Sequence, residues 1–395
     1  MLYLKIVPIE FKNESRDKRE LSVVKELGYE TLVVDTPKHV EDFWEIIDGH
    51  RVYHISTRRY GESVRMRVVN RGRAYWQFIR KTIEINADVI SGHDYLMTFA
   101  AYIANCCKRY KAKLIYDSHE FELYQNPDRS KLTLWVLKLL EGFLIRRVDI
   151  AMMVGDKIAD EVQEIYNLQT RPTVIRNIPP YWHLEPEKSA VIRKEFLKSL
   201  MLSDSGFLMM YHGAIMRGRG IECAIRVLEL LPDDVGLVIM GDDSNLGMVE
   251  GLRELAKKMG VERRVLFRSA VPIQVLKDYI GAVDVEMVLI EGKTCRSYAY
   301  SLPNKFFESI QACVPMICSD LPEMGKLVRQ YDIGLLVNED DEKSVVEAVL
   351  KLRNDEGLYD RLRSNVAKAK EELCWEKENL ILKKAIQEMV GRSVG

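Results

Sequence analysis

Two doubly wound α/β domains are expected from the sequence, on three observations. Short runs rich in β-branched and aliphatic residues alternate with longer amphipathic stretches along most of the chain. The runs are apolar almost throughout rather than alternating, as in parallel strands covered on both faces. The rhythm breaks at Arg176-Asn177-Ile178-Pro179-Pro180-Tyr181-Trp182, where paired prolines end one domain.

In order, the first half offers strands at Leu4–Pro8, Thr31–Asp35, Asp88–Ser91, Lys113–Asp117, Asp149–Val154 and Thr173–Arg176. The second half repeats the pattern at Phe207–His212, Gly236–Met240, Arg264–Phe267, Val283–Val288, Val314–Cys318 and Ile333–Val337. This gives domains at 1–182 and 183–374. A tail at 375–395, with helical spacing of Leu380, Leu382, Ile386 and Met389, is expected to pack back toward the first domain. Such sheets bind ligands beyond the carboxyl ends of their strands, so two facing domains put a site in the cleft.

The 395 residues, 47% hydrophobic and 30% charged, are those of a soluble globular enzyme, and a net charge of −1 argues against nonspecific nucleic-acid binding. The seven cysteines are scattered, without C-x-x-C spacing, and read as small core residues in a reducing compartment. The opening Met-Leu-Tyr-Leu-Lys-Ile-Val-Pro-Ile-Glu turns polar too early for a secretory signal, and no uncharged run is long enough to span a membrane. A cytoplasmic protein is expected.

The most informative segment is 299–323. Pro303 stands where a helix can begin without losing a hydrogen bond, and Phe306, Phe307 and Ile310 give that helix an apolar face. The preceding turn, Ser301-Leu302-Pro303-Asn304, then offers free N–H groups to an anion, with the charge of Lys305 beside them. Glu308 follows Pro303 by about 7 Å of helix, roughly the step from a phosphate to its ribose, and can accept from both hydroxyls. An ordinary βα unit with a surface Lys and Glu is the plainer reading. A second loop, Gly213-Ala214-Ile215-Met216-Arg217-Gly218-Arg219-Gly220, joins a strand to a helix. Its glycines admit close approach of a diphosphate and Arg219 can pair with its oxygens, although a solvated loop explains the same composition. The spacing is not G-x-G-x-x-G, which disfavours a nicotinamide dinucleotide.

Over about residues 205–390 these motifs resemble glycosyltransferase family 4. They are the loop Gly213–Gly220, Ile239-Met240-Gly241-Asp242, Val265 to Pro272, Ser301 to Glu308, Val314-Pro315, Leu321-Pro322-Glu323 and Trp375-Glu376. The resemblance implies a GT-B fold and a retaining transferase that uses a nucleotide diphosphate-sugar. It implies that Glu308 is the second acid of an E-x7-E motif and holds the ribose, that Arg219 meets the diphosphate, and that Arg268 to Val271 line the base pocket through backbone contacts. Gly213, Gly218 and Gly241 belong to the same donor site. Two positions depart from the family: Tyr300 replaces the first acid, for which Glu291 could substitute, and Ala214 replaces an arginine.

In the first domain the resemblance is weaker and rests on Asp117-Ser118-His119-Glu120. It implies that His119 faces a donor-sugar hydroxyl; a loop histidine capping a turn is the alternative. His93 and Asp94 form a similar pair on the same edge, in reach of an acceptor. Between Arg51 and Lys81 stand nine basic residues (Arg51, Arg58, Arg59, Arg65, Arg67, Arg71, Arg73, Arg80, Lys81) against Glu62 alone, with Tyr75, Trp76 and Phe78 among them. Such a segment can lie on an anionic membrane or be a solvated face. The apolar stretch Leu132–Ile145, interrupted by Lys138 and Glu141, reads as a core-facing helix.

The expectation is therefore a metal-independent, cofactor-free GT-B glycosyltransferase. It would act on a glycan or lipid-linked acceptor, peripherally at the inner face of the membrane, with His119, Arg219, Lys305 and Glu308 carrying the chemistry. The absence of D-x-D agrees with the metal-free reading. A nonhydrolysing sugar-nucleotide epimerase and a non-enzymatic sugar-nucleotide sensor or partner subunit stay open.

Overall fold

The apolar runs become two parallel sheets in the computed structural model, which describes residues 1–37, 41–56, 64–243 and 247–391, with backbone alone for Val64, Arg65 and Arg67. In the first sheet the strands are β1 (Leu2–Ile6), β2 (Glu30–Asp35), β3 (Phe43–Ile47), β4 (His50–His54), β5 (Val89–His93), β6 (Lys113–Asp117), β7 (Ile150–Met153) and β8 (Thr173–Val174). Their order is β3-β4-β2-β1-β5-β6-β7-β8, parallel except at β3–β4. The second sheet contains β9 (Phe207–His212), β10 (Val235–Met240), β11 (Val265–Arg268), β12 (Val285–Val288), β13 (Met316–Ser319) and β14 (Gly334–Val337), in the order β11-β10-β9-β12-β13-β14, all parallel. In each sheet the order reverses beside the first strand, β1 next to β5 and β9 next to β12. Those are the places where a doubly wound sheet opens a crevice at its carboxyl edge.

The hairpin β3–β4 is the part of the first sheet not expected from the apolar runs. Its turn, Asp48-Gly49, has φ of 51° and 77°, and two left-handed residues match the twist of the strands they join. As an edge strand β3 exposes Trp44 and Ile46, so it lacks the continuous apolar run of its neighbours.

Two compact units result: Met1–Arg176 together with the chain from Glu378 onward, and Asn177–Lys377. The first division falls ahead of the expected 182/183, because Ile178 and Trp182 are buried in the cores of the second unit and Pro179 O accepts from Trp375 N at 2.9 Å. The helix Trp375–Gly391 crosses the second division, and from Glu378 it belongs to the first unit. There the Glu378 carboxylate accepts from the guanidinium of Arg176, at 2.7 Å for the closest pair, and Lys383 pairs with Glu26.

The stretch Leu132–Ile145 forms the helix Lys131–Ile145, but not as a wholly core-facing one. Glu141 is the residue turned inward, accepting from the Tyr116 and Tyr166 hydroxyls at 2.7 Å each, while Trp135 and Leu139 face solvent. Among the described residues no helix is long and apolar enough to cross a membrane.

Candidate functional site

In the second unit the polar groups gather where β9 and β12 meet. His212 ends β9 and is buried, with Nδ1 2.9 Å from Glu286 Oε1 and Nε2 2.9 Å from Glu308 Oε2. Its backbone N–H also donates to Glu286 Oε1 at 3.1 Å. Burial opposes a charge on the imidazole, but Glu286 and Glu308 outweigh it and lift the pKa to about 9. Glu308, the expected ribose clamp, is thus held through one oxygen by an imidazolium.

One turn earlier on the helix Asn304–Gln311, Lys305 is buried. Its Nζ has no hydrogen-bond partner and sits 3.2 Å from the centroid of the Tyr211 ring. Burial lowers its pKa, Arg219 adds to the lowering, and Glu286 and Glu308 offset them in part, leaving it at about 7. Arg219 is half-buried, its guanidinium 4.7 Å above the Tyr298 ring. Lys305, Arg219, Glu308 and the buried His212–Glu286 pair therefore form one cluster.

The loops around them are shaped by close backbone approach. A Cβ on Gly241 would lie 1.8 Å from Gly213 O, and one on Gly218, at φ 78°, would lie 2.9 Å from Tyr298 Cε2. These two glycines answer to packing inside the loops, whereas Gly213 is exposed and would place a Cβ 3.7 Å from Lys305 Cε. The expected cradle is smaller than the four-residue turn suggests. Ser301 N–H donates to Tyr298 O at 3.1 Å and Pro303 has no N–H, which leaves the amides of Leu302, Asn304 and Lys305 to an anion. The Asn304 side-chain oxygen accepts from Asn177 at 2.7 Å. The Arg268 guanidinium pairs with Glu195 at 2.5 Å, and the Arg268 carbonyl accepts from Gly241 N at 3.0 Å. Val271 packs against the core around Phe196. Tyr300 follows the short helix Arg296–Ala299, where the Arg296 guanidinium lies 6.0 Å from its ring, and Glu291 N–H donates to Gly218 O at 3.1 Å.

In the first unit the polar cluster stands at the carboxyl ends of β1, β5 and β6. Lys5, fully buried in β1, lies 2.6 Å from Glu20, 2.7 Å from Asp117 and 3.0 Å from Asp17. Arg16 adds a bond to Asp117 at 2.7 Å. Burial alone would raise the Asp17 and Asp117 carboxyls, but these cations hold both well below the usual range. His119 Nε2 is 3.0 Å from Asp117 Oδ2, and its backbone N–H donates to Asp94 Oδ1 at 3.0 Å. Its ring lies 3.6 Å, centroid to centroid, from that of His93, whose Nδ1 is 3.0 Å from Asp17. Burial would lower both imidazoles, yet the carboxylates raise them, His93 to about 10. Glu14, His93 and His119 bring ligand atoms together, as do Asp17, Asp117 and His119. In the second set the Lys5 ammonium already occupies the position of a cation.

Neither Lys5 nor His212 nor Glu286 is expected from the motifs. The available signal was a charged residue inside an otherwise apolar strand, as in Leu-Tyr-Leu-Lys-Ile and Val-Glu-Met-Val.

The basic segment 51–81 only partly faces solvent. Arg58, Arg59 and Glu62, and the side chains of Arg65 and Arg67, lie outside the described residues. Lys81 rests 4.0 Å above the Tyr53 ring and pairs with Glu84, as does Arg80, while Arg73 donates to Ser56 O at 2.6 Å. Phe78 is buried and the Tyr75 hydroxyl donates to Leu96 O at 3.3 Å, so of the three aromatics Trp76 is the exposed one.

Residues 23–178 match the family model described as Glycosyltransferase Family 4, and residues 206–355 the one described as Glycosyl transferases group 1. The chain is similar to D-inositol 3-phosphate glycosyltransferase of Xylanimonas cellulosilytica, 26% identical over 189 residues, 47% of this chain and 43% of that relative. It spans less than half the length of the curated relatives it matches. Among solved structures it resembles sucrose-phosphate synthase of Thermosynechococcus elongatus, with a TM-score of 0.77 and 13% identity over 99% of this chain and all of that one. It also resembles Anabaena HepE in complex with UDP and glucose, with a TM-score of 0.74 and 14% identity over 99% and 100% of the two chains.

Proposed function

The chain belongs to glycosyltransferase family 4, and on that premise we propose that it moves a sugar from a nucleoside diphosphate-sugar to an acceptor hydroxyl with retention at the anomeric carbon. The observation that carries this is Lys305, a buried amino group without a hydrogen-bond partner, next to a carboxylate already fixed by His212. A buried polar group left without a partner is costly, and a diphosphate oxygen would supply that partner and favour the charged amine.

In this reading Lys305, Arg219 and the amides of Leu302 and Asn304 meet the diphosphate. Charge that grows on the leaving group is then stabilised by donors already in place. Glu308 receives the ribose hydroxyls, and His119 faces a hydroxyl of the donor sugar. The two cations make a divalent ion unnecessary for the departure. UDP is the first nucleotide to try, because HepE is seen with it. The acceptor is a glycan precursor, lipid-linked, met at the inner face of an anionic membrane.

Thermal-shift titration with UDP, GDP and ADP, followed by transfer with matching labelled donors, tests the reading. Ligand at a hundredfold over its Kd should add about 2.7 kcal/mol of stability, and the product should keep the anomeric configuration of the donor. Nucleotide binding without turnover on any acceptor would make the protein a sensor. Interconversion of the donor without an acceptor product would make it an epimerase.

A further inference from the structure

The helix Lys131–Ile145 is apolar nearly all round, yet only one side is packed. Leu132, Trp135, Val136, Leu139 and Phe143 are 70%, 60%, 48%, 54% and 37% exposed. At the angular step of an α-helix they fall within a stripe about 100° wide, the width of a face that normally meets a core. The opposite side is tied down through Glu141, so the helix cannot turn to hide the stripe. Contiguous exposed apolar surface of this kind marks an interaction site.

Charge decides what covers it. Lys131 and Lys138 are exposed along one flank and have no ion pair among the described residues. Arg147 stands on the other flank, its guanidinium 3.7 Å above the Phe143 ring. Glu141, the only acid between 131 and 147, is buried. The face is thus apolar and aromatic at its centre and cationic at its rim. In a two-fold dimer the same patch meets itself, and this rim would bring lysine against lysine or arginine with no acid to pair. An anionic bilayer instead offers headgroup phosphates to the rim and acyl chains to the stripe, the arrangement of an interfacial helix.

We propose that the outer face of the helix Lys131–Ile145 docks the first unit in the plane of an anionic lipid bilayer. The docking helix is therefore not the basic segment 51–81, several of whose cations are engaged within the protein. The inference is independent of the transfer chemistry, although it supplies the surface at which a lipid-linked acceptor is met.

Cosedimentation of the full chain with phosphatidylglycerol–phosphatidylcholine vesicles, and with phosphatidylcholine alone, tests it. Anionic vesicles should bind the protein and neutral ones should not. Trp135→Ser with Leu139→Ser should lower the partition at least tenfold. Lys131→Ser with Lys138→Ser should lower it about tenfold at low ionic strength and less at high salt, where screening has already weakened the rim. Arg71→Ser with Arg80→Ser should leave it within twofold. All six positions are exposed, and unchanged melting temperatures would confirm intact folds. Failure of the wild-type protein to bind anionic vesicles overturns the proposal, as does retention of binding by the Trp135/Leu139 variant. So does sedimentation showing a dimer that this variant dissociates, which would make the face an interface between copies. Transfer to a water-soluble acceptor without vesicles reads the proposed reaction separately, so loss of either result leaves the other standing.

Discussion

His212 Nε2 lies 2.9 Å from Glu308 Oε2, and through Nδ1 the same ring is anchored to Glu286 in the neighbouring strand. The proposed ribose clamp is thus oriented by the sheet before any ligand arrives, with one oxygen engaged and the other left for a hydroxyl. Glu308→Gln keeps the shape but removes the charge from hydrogen bonds worth about 1.5 to 3 kcal/mol each. Calorimetric affinity for UDP should fall at least severalfold. An unchanged affinity in a folded variant would exclude the clamp.

The same relationship predicts a pH dependence of stability. The pKa of His212 is raised from 6.5 to about 9 in the folded protein, so its stabilising contribution is complete below about pH 6.5 and is lost as pH rises through about 9. Lys305, lowered to about 7, acts in the opposite sense, adding stability as pH rises from about 7 toward its ordinary value. The difference in melting temperature between wild type and His212→Gln isolates the first effect. It should be large at pH 6 and shrink by pH 9.5, and a constant difference would show that His212 is not charged in the fold.

Lys305 gives a third test. With a pKa near 7 it is mostly neutral at pH 8, and a bound diphosphate would draw it back to the charged state. Binding of UDP at pH 8 should therefore take up a proton, seen as a dependence of calorimetric enthalpy on the ionisation enthalpy of the buffer. Lys305→Met should abolish the uptake and weaken binding. No buffer dependence in the wild type would place the diphosphate elsewhere.

Arg219 rests on Tyr298 and is only half-buried, so its removal leaves no stranded partner inside the fold. Arg219→Ala should lower turnover at least tenfold while moving the melting temperature by no more than a degree or two. If protein cations meet the charge on the diphosphate, as proposed, activity should persist in EDTA. Activity lost to chelation and restored by magnesium would contradict the proposed departure.

How much of this could be read in advance follows from where each signal lies. The sheets were legible because buried parallel strands demand continuous apolar runs. The edge hairpin was not, since β3 exposes Trp44 and Ile46, although its Asp48-Gly49 turn was a local sign of it. Lys305 and Glu308 stood out on one helix at a spacing that suits a nucleotide. His212 and Glu286 did not, because their meaning lies in a pairing across strands far apart in sequence, as does that of Lys5 with Asp117. The pairing of Arg268 with Glu195 was hidden in the same way, since 73 residues separate the two. The outward stripe of the helix Lys131–Ile145 was hidden by its own composition, since an apolar helix with two internal charges reads as core until Glu141 is seen to point in and Lys138 out.

The His119 ring is set by Asp117 and its backbone by Asp94. Removing the ring leaves Asp117 paired with Lys5 and Arg16, so the buried charges stay compensated and His119→Ala should fold. If the ring faces a donor-sugar hydroxyl, it makes no contact with the nucleotide. UDP affinity should then stay within about twofold while transfer falls ten- to a hundredfold, a loss of about 1.4 to 2.7 kcal/mol in transition-state stabilisation. His119→Gln, which can still donate to a hydroxyl, should recover part of the rate. Equal losses in UDP binding and in transfer would move His119 away from the sugar, and no loss in either would leave it as a structural partner of Asp117.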